Sequence, residues 1–318
     1  MLAPRTRQNE AVMPTVVIAG GSGFIGRELS AQFTEMGWSI VVLTRSPLDP
    51  HGNVTFRGWD GKNSGTWMND LATADAVINL TGESIAVKWT ARNLTDIRES
   101  RIHASRAIGS ALQQVGKPIR WVNGSATGFY GNRGDEILDE SSNSGDVNDI
   151  LPSICMDWET AARETCPDNC ALTIVRTGVV LGNDGGALPE LAGFTKGFLG
   201  GHAGSGQQWV PWIHLKEIAG LIVWAATHET PSAINGVSPN PERMAEFMAQ
   251  LRKVLHRPWS PPIPKFALQV ASAFGAPDPC LLLDSCRAVP KAALEAGYKF
   301  QYPTLTEAFS DLFSKNGN

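Results

Sequence analysis

Three glycines near the amino terminus have the spacing needed to hold the phosphates of a dinucleotide. Gly20, Gly23 and Gly26 follow a short apolar run and open an amphipathic stretch, with Phe24 and Ile25 between the last two. Glycine permits a tight turn at 20, backbone N–H groups close to a pyrophosphate at 23, and close helix–strand packing at 26. The helix amino terminus adds a positive dipole. We predict a dinucleotide-binding turn; the alternative is a strand–helix turn that only needs flexible residues.

Thr44, Arg45 and Ser46 follow the second apolar run, where the ribose of the cofactor's adenosine is expected. A fold that prefers NAD places an acidic residue there to accept a hydrogen bond from the ribose 2′-hydroxyl. No carboxylate is available in this run, whereas a guanidinium and hydroxyls suit a 2′-phosphate. The residues therefore favour NADP(H), and the alternative is that Arg45 is a solvated charge at a strand end.

Repeated βαβ units are needed to position these residues. Apolar runs typical of buried strands alternate with stretches of helical spacing, and Gly37 and Gly116 stand where helix C-caps belong. The predicted strands are Thr15–Ala19, Ser39–Thr44, Ala76–Leu80, Arg120–Gly124 and Leu172–Arg176, and the predicted helices are Ile25–Met36, Thr95–Val115 and Leu151–Thr165. The pattern predicts an α/β protein with a Rossmann-type, doubly wound parallel sheet.

After Gly182 the alternation of predicted strands and helices stops, and glycine-rich loops surround a short apolar helix. We predict an NADP-binding Rossmann domain formed by residues 13–182 and 208–237. A smaller C-terminal substrate-side domain is predicted from residues 183–207 and 238–318, with a helix over Glu242–Leu255. Residues 1–12 are polar and without strand or helix period, so a disordered extension is predicted there.

Composition and charge exclude several classes of partner. The 318 residues are 42% hydrophobic and carry a net charge of −4 without a basic stripe, so we expect a sizeable core and no nucleic-acid partner. The apolar stretches end before the roughly 18 to 20 residues that a membrane span needs. Five cysteines without a paired C-x-x-C spacing predict neither a disulfide framework nor a metal site. Reduced thiols and a cytoplasmic location are expected.

Three further motifs follow the glycine turn in a fixed order: Asn79–Glu83, Ser125–Gly131 and Arg176–Gly182. With them, the chain resembles the extended short-chain dehydrogenase/reductase superfamily and, more narrowly, its atypical epimerase-family subgroup. The resemblance runs from Val16 to Phe313. Its last part, Pro261–Phe313, resembles the subgroup's C-terminal domain of unknown function.

The resemblance implies a departure from the usual catalytic residues. Active members use a serine, a tyrosine that passes a proton to the substrate oxygen, and a lysine that lowers the tyrosine's pKa. Ser125 matches the serine, but Leu151 and Cys155 occupy the tyrosine and lysine positions, and Arg101 takes that of a supporting asparagine. Leucine has no transferable proton, and a thiol with a pKa near roughly 8.5 stays mostly neutral at pH 7. The proton transfer that the serine, tyrosine and lysine carry out in active members therefore cannot operate with Leu151 and Cys155.

Replacement acids are available in Tyr130 and His214. The alternative interpretation of Tyr130 is a core aromatic with a satisfied hydroxyl, and that of His214 is a structural hydrogen-bonding group. Trp89, Trp209 and Trp212 either line a planar substrate pocket or simply pack well. Beyond the glycine turn, the resemblance implies cofactor contacts at Leu80, Thr81, Gly82, Arg101, Cys155 and Thr177.

Two functions fit these residues. The first is an NADP(H)-dependent oxidoreductase or epimerase-like enzyme that acts on a carbonyl or hydroxyl group of a small organic substrate, with Ser125 polarising the oxygen. The second is a catalytically inactive NADP(H)-binding sensor or regulatory protein, which the loss of the Tyr-Lys pair favours. The retained segments Arg133–Glu136 and Trp212–His214 favour the enzyme. The oligomeric state stays open between monomer and homodimer.

Overall fold

The computed structural model describes residues 13–314, so the predicted extension at 1–12 lies outside the described residues. The strands are β1 Thr15–Ala19, β2 Ser39–Thr44, β3 Val54–Gly58, β4 Ala76–Asn79, β5 Arg120–Ala126, β6 Ile137–Leu138, β7 Ala171–Thr177, β8 Val179–Leu181, β9 Trp209–Val210, β10 Trp212–His214, β11 Ala233–Gly236, β12 Glu242–Arg243 and β13 Arg287–Ala288. The helices are α1 Phe24–Glu35, α2 Met68–Leu71, α3 Ala91–Val115, α4 Ile150–Thr165, α5 Leu188–Lys196, α6 Leu215–Thr227, α7 Met244–Val254, α8 Lys265–Ala273, α9 Cys280–Leu283, α10 Lys291–Glu295 and α11 Leu305–Ser314. A short 3₁₀ helix spans Thr127–Tyr130.

Seven parallel strands form the central sheet in the order β3-β2-β1-β4-β5-β7-β11. Val16 of β1 pairs with Ile40 of β2 on one side and with Ala76 of β4 on the other. The order of the strands reverses between β1 and β4, which opens a crevice at their carboxyl ends, where ligands bind in this class of sheet. The prediction of a doubly wound parallel sheet is confirmed.

Helices cover both faces of the sheet, because side chains alternate along each strand and both sets are apolar. Val16 and Ile18 of β1 face one core, and Val17 and Ala19 face the other. The first core is completed by Leu29 and Phe33 of α1 and by Ile218 and Ile222 of α6, and the second by Ala104, Ile108 and Leu112 of α3 and Ala162 of α4. Among the described residues, no helix is both long and apolar enough to cross a membrane.

A further core lies beyond the sheet, where α5, α7 and α11 pack together. The strand β10 joins it to the main fold, because Ile213 packs in the first core of the sheet and the adjacent Trp212 packs in this further core. Its buried members include Leu188 of α5, Phe247 of α7 and Phe309 of α11. The division into two domains stays a prediction, and this core supplies an apolar centre for the smaller one.

Two helices begin two or more residues away from the predicted start, while α1 and α4 begin one residue earlier than predicted. The helix α3 starts at Ala91 rather than Thr95, because the Thr90 hydroxyl accepts a hydrogen bond from Asn93 N at 3.2 Å and caps the first turn. Glu242 and Arg243 pair with β9, so α7 begins only at Met244. The sequence analysis also missed the edge strands β3 and β11. Gly37 and Gly116 adopt left-handed backbone angles just after α1 and α3, as C-cap glycines do.

Candidate cofactor and active site

The glycine turn joins β1 to α1 at the crevice between the two halves of the sheet. Gly20 has a φ of 79°, which favours glycine, and its N–H donates to Leu43 O at 3.1 Å. A Cβ on Gly26 would lie 2.5 Å from both Gly20 O and Gly21 Cα, and one on Gly23 would lie 3.1 Å from Gly20 O. Only glycine at 26 therefore lets α1 begin this close to the turn.

Phe24 and Arg27 hold the turn against the loop that follows β8. A Cβ on Gly182 or Gly185 would lie 2.6 Å from the Phe24 ring, so these glycines make room for it. Arg27 Nη2 donates to Asp184 at 2.8 Å. The neighbouring Ile25 packs against the first core. Phe24 thus positions the turn by contact with residues 182–186.

Hydroxyl and charged groups meet beside the turn at the end of β2. The Ser22 and Thr44 hydroxyls lie 3.0 Å apart, and Ser46 N donates to Thr44 Oγ1 at 3.3 Å. Arg45, with a side chain 74% exposed, donates to Glu83 Oε1 at 2.8 Å. Sequence reasoning missed Ser22, although it stands inside the glycine motif. It also missed that Glu83, from the loop after β4, brings a carboxylate to Arg45.

The loop after β4 carries the next predicted contacts. Leu80 N donates to Ala19 O at 2.9 Å, and Thr81 Oγ1 donates to Asn79 Oδ1 at 2.6 Å. Gly82 packs on Arg101, since a Cβ there would lie 2.9 Å from Arg101 Cζ.

Arg101 holds the loop after β4 in place by hydrogen bonds. Its Nη1 donates to the carbonyls of Glu83 and Ile97 at 3.0 and 2.8 Å, and its guanidinium lies 5.0 Å from the Trp158 ring centroid. Burial lowers the pKa of Arg101. The Thr177 hydroxyl, at the end of β7, donates to Val175 O at 3.5 Å.

The two replaced catalytic positions lie side by side at the end of β5. A Cβ on Gly128 would lie 3.2 Å from Leu151 Cβ and 3.6 Å from Cys155 Sγ. Burial raises the pKa of Cys155 to about 12, so its thiol is neutral. Cys155 is 4% exposed and has no charge to offer a ribose or a phenol.

Ser125 is turned into the protein rather than into the crevice. Its hydroxyl donates to Glu159 Oε1 at 2.8 Å, and Arg176 donates to both oxygens of the same carboxylate at 2.8 and 3.0 Å. Because a hydroxyl has one proton, Ser125 in this arrangement does not also polarise a substrate oxygen. The predicted role of Ser125 on a substrate oxygen would require its hydroxyl to leave Glu159.

Tyr130 belongs to the same buried network. Its hydroxyl lies 2.7 Å from Asn235 Oδ1 and 3.0 Å from Asp139 O, both acceptors for its proton, and it accepts from Arg176 Nη1 at 3.0 Å. Burial raises the pKa of Tyr130 to about 12. This geometry corresponds to the alternative of a core aromatic with a satisfied hydroxyl, and a role for Tyr130 as proton donor would require these hydrogen bonds to break.

His214 caps the helix α6 from within the protein. Its Nδ1 accepts a hydrogen bond from Lys216 N at 3.1 Å, its ring stacks on Tyr302 at 4.0 Å, and Nε2 lies 3.4 Å from Asp311 Oδ2. Burial lowers the pKa of His214 to about 4, so the imidazole is neutral. These contacts correspond to the structural alternative for His214.

The buried His214 predicts a pH dependence of stability. Its pKa is lower in the folded than in the unfolded protein, so the unfolded state takes up a proton first as the pH falls. We expect the wild type to lose about 3 kcal/mol of stability from this group between roughly pH 6.5 and 4. His214→Asn keeps a capping oxygen and should lack that loss. Urea unfolding of both proteins across this range measures the difference, and parallel curves would contradict the prediction.

Thr127 is a hydroxyl that sequence reasoning missed. It opens the 3₁₀ helix beside Leu151 and Cys155, and its carbonyl accepts from Cys286 Sγ at 3.7 Å. Its hydroxyl makes no hydrogen bond to any residue within 13–314. The signal was present in Ser125-Ala126-Thr127, where two hydroxyls stand near the end of one strand.

Comparison with known proteins matches two families to the chain. Residues 16–235 match the NAD dependent epimerase/dehydratase family, and residues 263–312 match a domain of unknown function, DUF1731. The chain is 35% identical to epimerase family protein SDR39U1 homolog, chloroplastic, of Arabidopsis thaliana, over 95% of this chain and 87% of that one. It is 32% identical to epimerase family protein YfhF of Bacillus subtilis, over 94% of this chain and 98% of that one.

A solved structure has the same fold. The crystal structure of human epimerase family protein SDR39U1 with NADPH superimposes with a TM-score of 0.81 at 27% identity, covering 94% of this chain and 99% of that one. The resemblance to an epimerase-family subgroup with a C-terminal domain of unknown function is confirmed. On its sequence and its fold, the chain belongs to the NAD dependent epimerase/dehydratase family.

Proposed function

We propose that the chain binds NADP(H) in the crevice at the carboxyl ends of β1, β2 and β4. The observation that carries this proposal is the convergence of Ser22, Thr44 and Arg45 beside a turn that only glycines can form. The backbone N–H groups at the start of α1 would hold the pyrophosphate. The human relative whose structure contains NADPH gives independent support. When bound, NADP(H) supplies or accepts a hydride at its nicotinamide ring.

Arg45 would hold the 2′-phosphate. Its partner Glu83 forms an exposed ion pair with it, and such pairs contribute no more than about 1 kcal/mol. A phosphate has more charge than a carboxylate and more acceptor oxygens, so it competes well for the guanidinium. The Ser22 and Thr44 hydroxyls would complete the contact.

Arg45→Ala is expected to weaken NADPH binding about tenfold and to leave NADH binding nearly unchanged, because only NADPH carries the 2′-phosphate. Fluorescence titration with both nucleotides measures the two affinities. Arg92→Ala is the matched control, since Arg92 is an arginine of α3 that is 91% exposed and whose ion pair within residues 13–314 is a 3.9 Å contact with Asp96. An unchanged ratio of affinities in Arg45→Ala would remove Arg45 from the proposed site.

For the chemistry, we propose an oxidoreductase or epimerase-like enzyme acting on a carbonyl or hydroxyl group of a small organic substrate. Leu151 and the neutral Cys155 thiol cannot supply the usual tyrosine acid. The Thr127 hydroxyl, which makes no hydrogen bond among the described residues, would orient the substrate oxygen. Bound NADP(H) would supply the hydride for reduction of such a carbonyl carbon, Thr127 would hold the carbonyl oxygen, and the proton on the product hydroxyl would come from solvent.

A second function, an inactive NADP(H) sensor, is favoured by the internal placement of Ser125, Tyr130 and His214. The test is loss of NADPH absorbance in the presence of a library of aldehydes and ketones. The enzyme requires turnover of at least one compound and a loss of at least about tenfold in Thr127→Val, which keeps the shape but removes the hydroxyl. Ser125→Ala is the control, because it removes a nearby hydroxyl that already donates to Glu159. NADPH binding without turnover of any compound supports the sensor and contradicts the enzyme.

A further inference from the structure

Exposed apolar side chains gather where the carboxyl-terminal ends of α5 and α7 meet. Ser260 Oγ donates to Phe198 O at 3.2 Å, and Arg252 Nη1 donates to Gly200 O at 2.6 Å, so segments 194–200 and 252–260 form one surface. Four large apolar side chains of these segments, here called the apolar cluster, are more than half exposed: Phe194 57%, Phe198 59%, Leu199 63% and Trp259 74%. Single exposed apolar residues are common, but such a group on contacting segments indicates an interaction surface.

The backbone of Phe198 is unfavourable for the side chain that it carries. Its φ of 65° lies in the left-handed region that favours glycine. The other non-glycine residue with a positive φ, among those that the structure describes, is His256 of the same surface, at 53°. Phe198 belongs to none of the cores of the described residues, so burial does not offset its strain. A strained, exposed aromatic residue is evidence for a function of this surface.

Positive charge accompanies the apolar cluster. Residues 191–216 and 247–277, which include both segments, contain no aspartate or glutamate, although the chain has 31 of these residues. Four cations stand in segments 194–200 and 252–260, and within residues 13–314 none of them forms an ion pair: Lys196, Arg252, Lys253 and Arg257. Arg257 Cζ lies 5.1 Å from the centroid of the Phe198 ring. This surface is therefore positive, although the net charge of the chain is −4.

The combination of apolar and positively charged side chains favours an anionic lipid bilayer as the occupant of this surface. Aromatic residues such as Trp259 and Phe198 are enriched at the level of the lipid headgroups. Lysine and arginine beside them are attracted by the negative charge of anionic headgroups. A second copy of this chain would instead bring two sets of the same four cations together, so charge opposes self-association through this surface.

We propose that this surface attaches the chain to anionic lipid bilayers. The apolar cluster inserts among the headgroups, and the ammonium groups of Lys196 and Lys253, both on exposed residues, contact the lipid phosphates. The attachment is peripheral, because only side chains at the ends of two helices enter the bilayer surface. It does not depend on the proposed NADP(H) site, which lies at β1, β2 and β4 rather than at α5 and α7.

The test is co-sedimentation of the full chain with vesicles of phosphatidylcholine alone and of phosphatidylcholine mixed equally with phosphatidylglycerol, at low ionic strength. The wild type should bind the anionic vesicles at least about tenfold more tightly. Phe198→Gly should weaken that binding about tenfold by removing one inserted ring. Glycine adopts a φ of 65° without strain, so this variant is expected to fold. Lys253→Gln should weaken the binding about fivefold.

Two variants outside this surface are the controls, and both should bind vesicles like the wild type. Leu294→Ser replaces an apolar side chain of α10 that is 48% exposed, and Arg92→Ala removes an exposed positive charge of α3. Circular dichroism shows whether each variant is folded.

Three results would overturn the inference. The first is equal binding to both kinds of vesicle, or binding to neither. The second is wild-type binding by Phe198→Gly. The third is a different occupant: capture by polyglutamate but not by vesicles would indicate an acidic protein, and a dimer in sedimentation velocity that Phe198→Gly dissociates would indicate a second copy of the chain. NADPH affinity should be unchanged in Phe198→Gly, so the vesicle result is independent of the proposed function.

Discussion

Gly26→Ala is expected to weaken NADPH binding by about 10- to 100-fold and to lower the melting temperature. The new Cβ would lie 2.5 Å from Gly20 O and Gly21 Cα, which are backbone atoms of the turn itself. Relieving such an overlap moves the turn or the start of α1, at a cost of about 1 to 3 kcal/mol. Because the same backbone is proposed to hold the pyrophosphate, the displacement appears in affinity as well as in stability.

The matched control is Gly193→Ala in α5. Its Cβ would meet nothing within 4 Å, and alanine is the better helix former by about 1 kcal/mol. We expect unchanged NADPH affinity and an equal or higher melting temperature for this variant. Isothermal titration and thermal unfolding of the two alanine variants measure both quantities. Wild-type affinity in Gly26→Ala would show that the turn does not hold the cofactor.

Glu159→Gln is expected to destabilise the protein by about 3 to 5 kcal/mol. Glu159 and Arg176 are each 5% exposed at the side chain, and Arg176 donates to both carboxylate oxygens. Burial opposes the charge of Arg176, but the hydrogen bonds and charge of Glu159 outweigh it and raise the pKa of Arg176. Removing the carboxylate leaves an uncompensated buried charge, which is the costly case for a buried ion pair.

A double variant tests whether the loss of stability comes from the buried charge of Arg176 that Glu159→Gln leaves unpaired. Glu159→Gln combined with Arg176→Met removes both charges, so it should lose less stability than the sum of the single losses. Asp96→Asn breaks the exposed pair of Arg92 and Asp96 and should cost less than about 0.5 kcal/mol. Urea unfolding of the wild type, the single variants Glu159→Gln and Arg176→Met, the double variant and Asp96→Asn measures these losses. A loss below about 1 kcal/mol in Glu159→Gln would show that this pair does not stabilise the end of β5.

The fold was predictable because its signals are local. The apolar run Thr15–Ala19, the glycines at 20, 23 and 26, and the helical spacing after them define a βα unit within a short stretch of chain. The strand order also matches the doubly wound sheet expected from repeated units. The edge strand β3 was missed because its sequence, Val-Thr-Phe-Arg-Gly, mixes polar and apolar residues.

The site was less predictable because the direction of a hydroxyl depends on partners that are distant in sequence. Ser125 is turned inwards by Glu159, 34 residues later, and Tyr130 by Asn235, 105 residues later. Arg45 is approached by Glu83, 38 residues later, which no local pattern reveals. Sequence reasoning found the strand ends where these groups meet but not which of them face the crevice.

The most direct test of the proposed NADP(H) site is the affinity of the wild-type protein for NADPH and for NADH, measured by calorimetry at one ionic strength. Because Ser22, Thr44 and Arg45 gather beside the glycine turn, NADPH should bind at least about tenfold more tightly than NADH. Equal affinities, tighter binding of NADH, or no binding of either nucleotide would contradict the account.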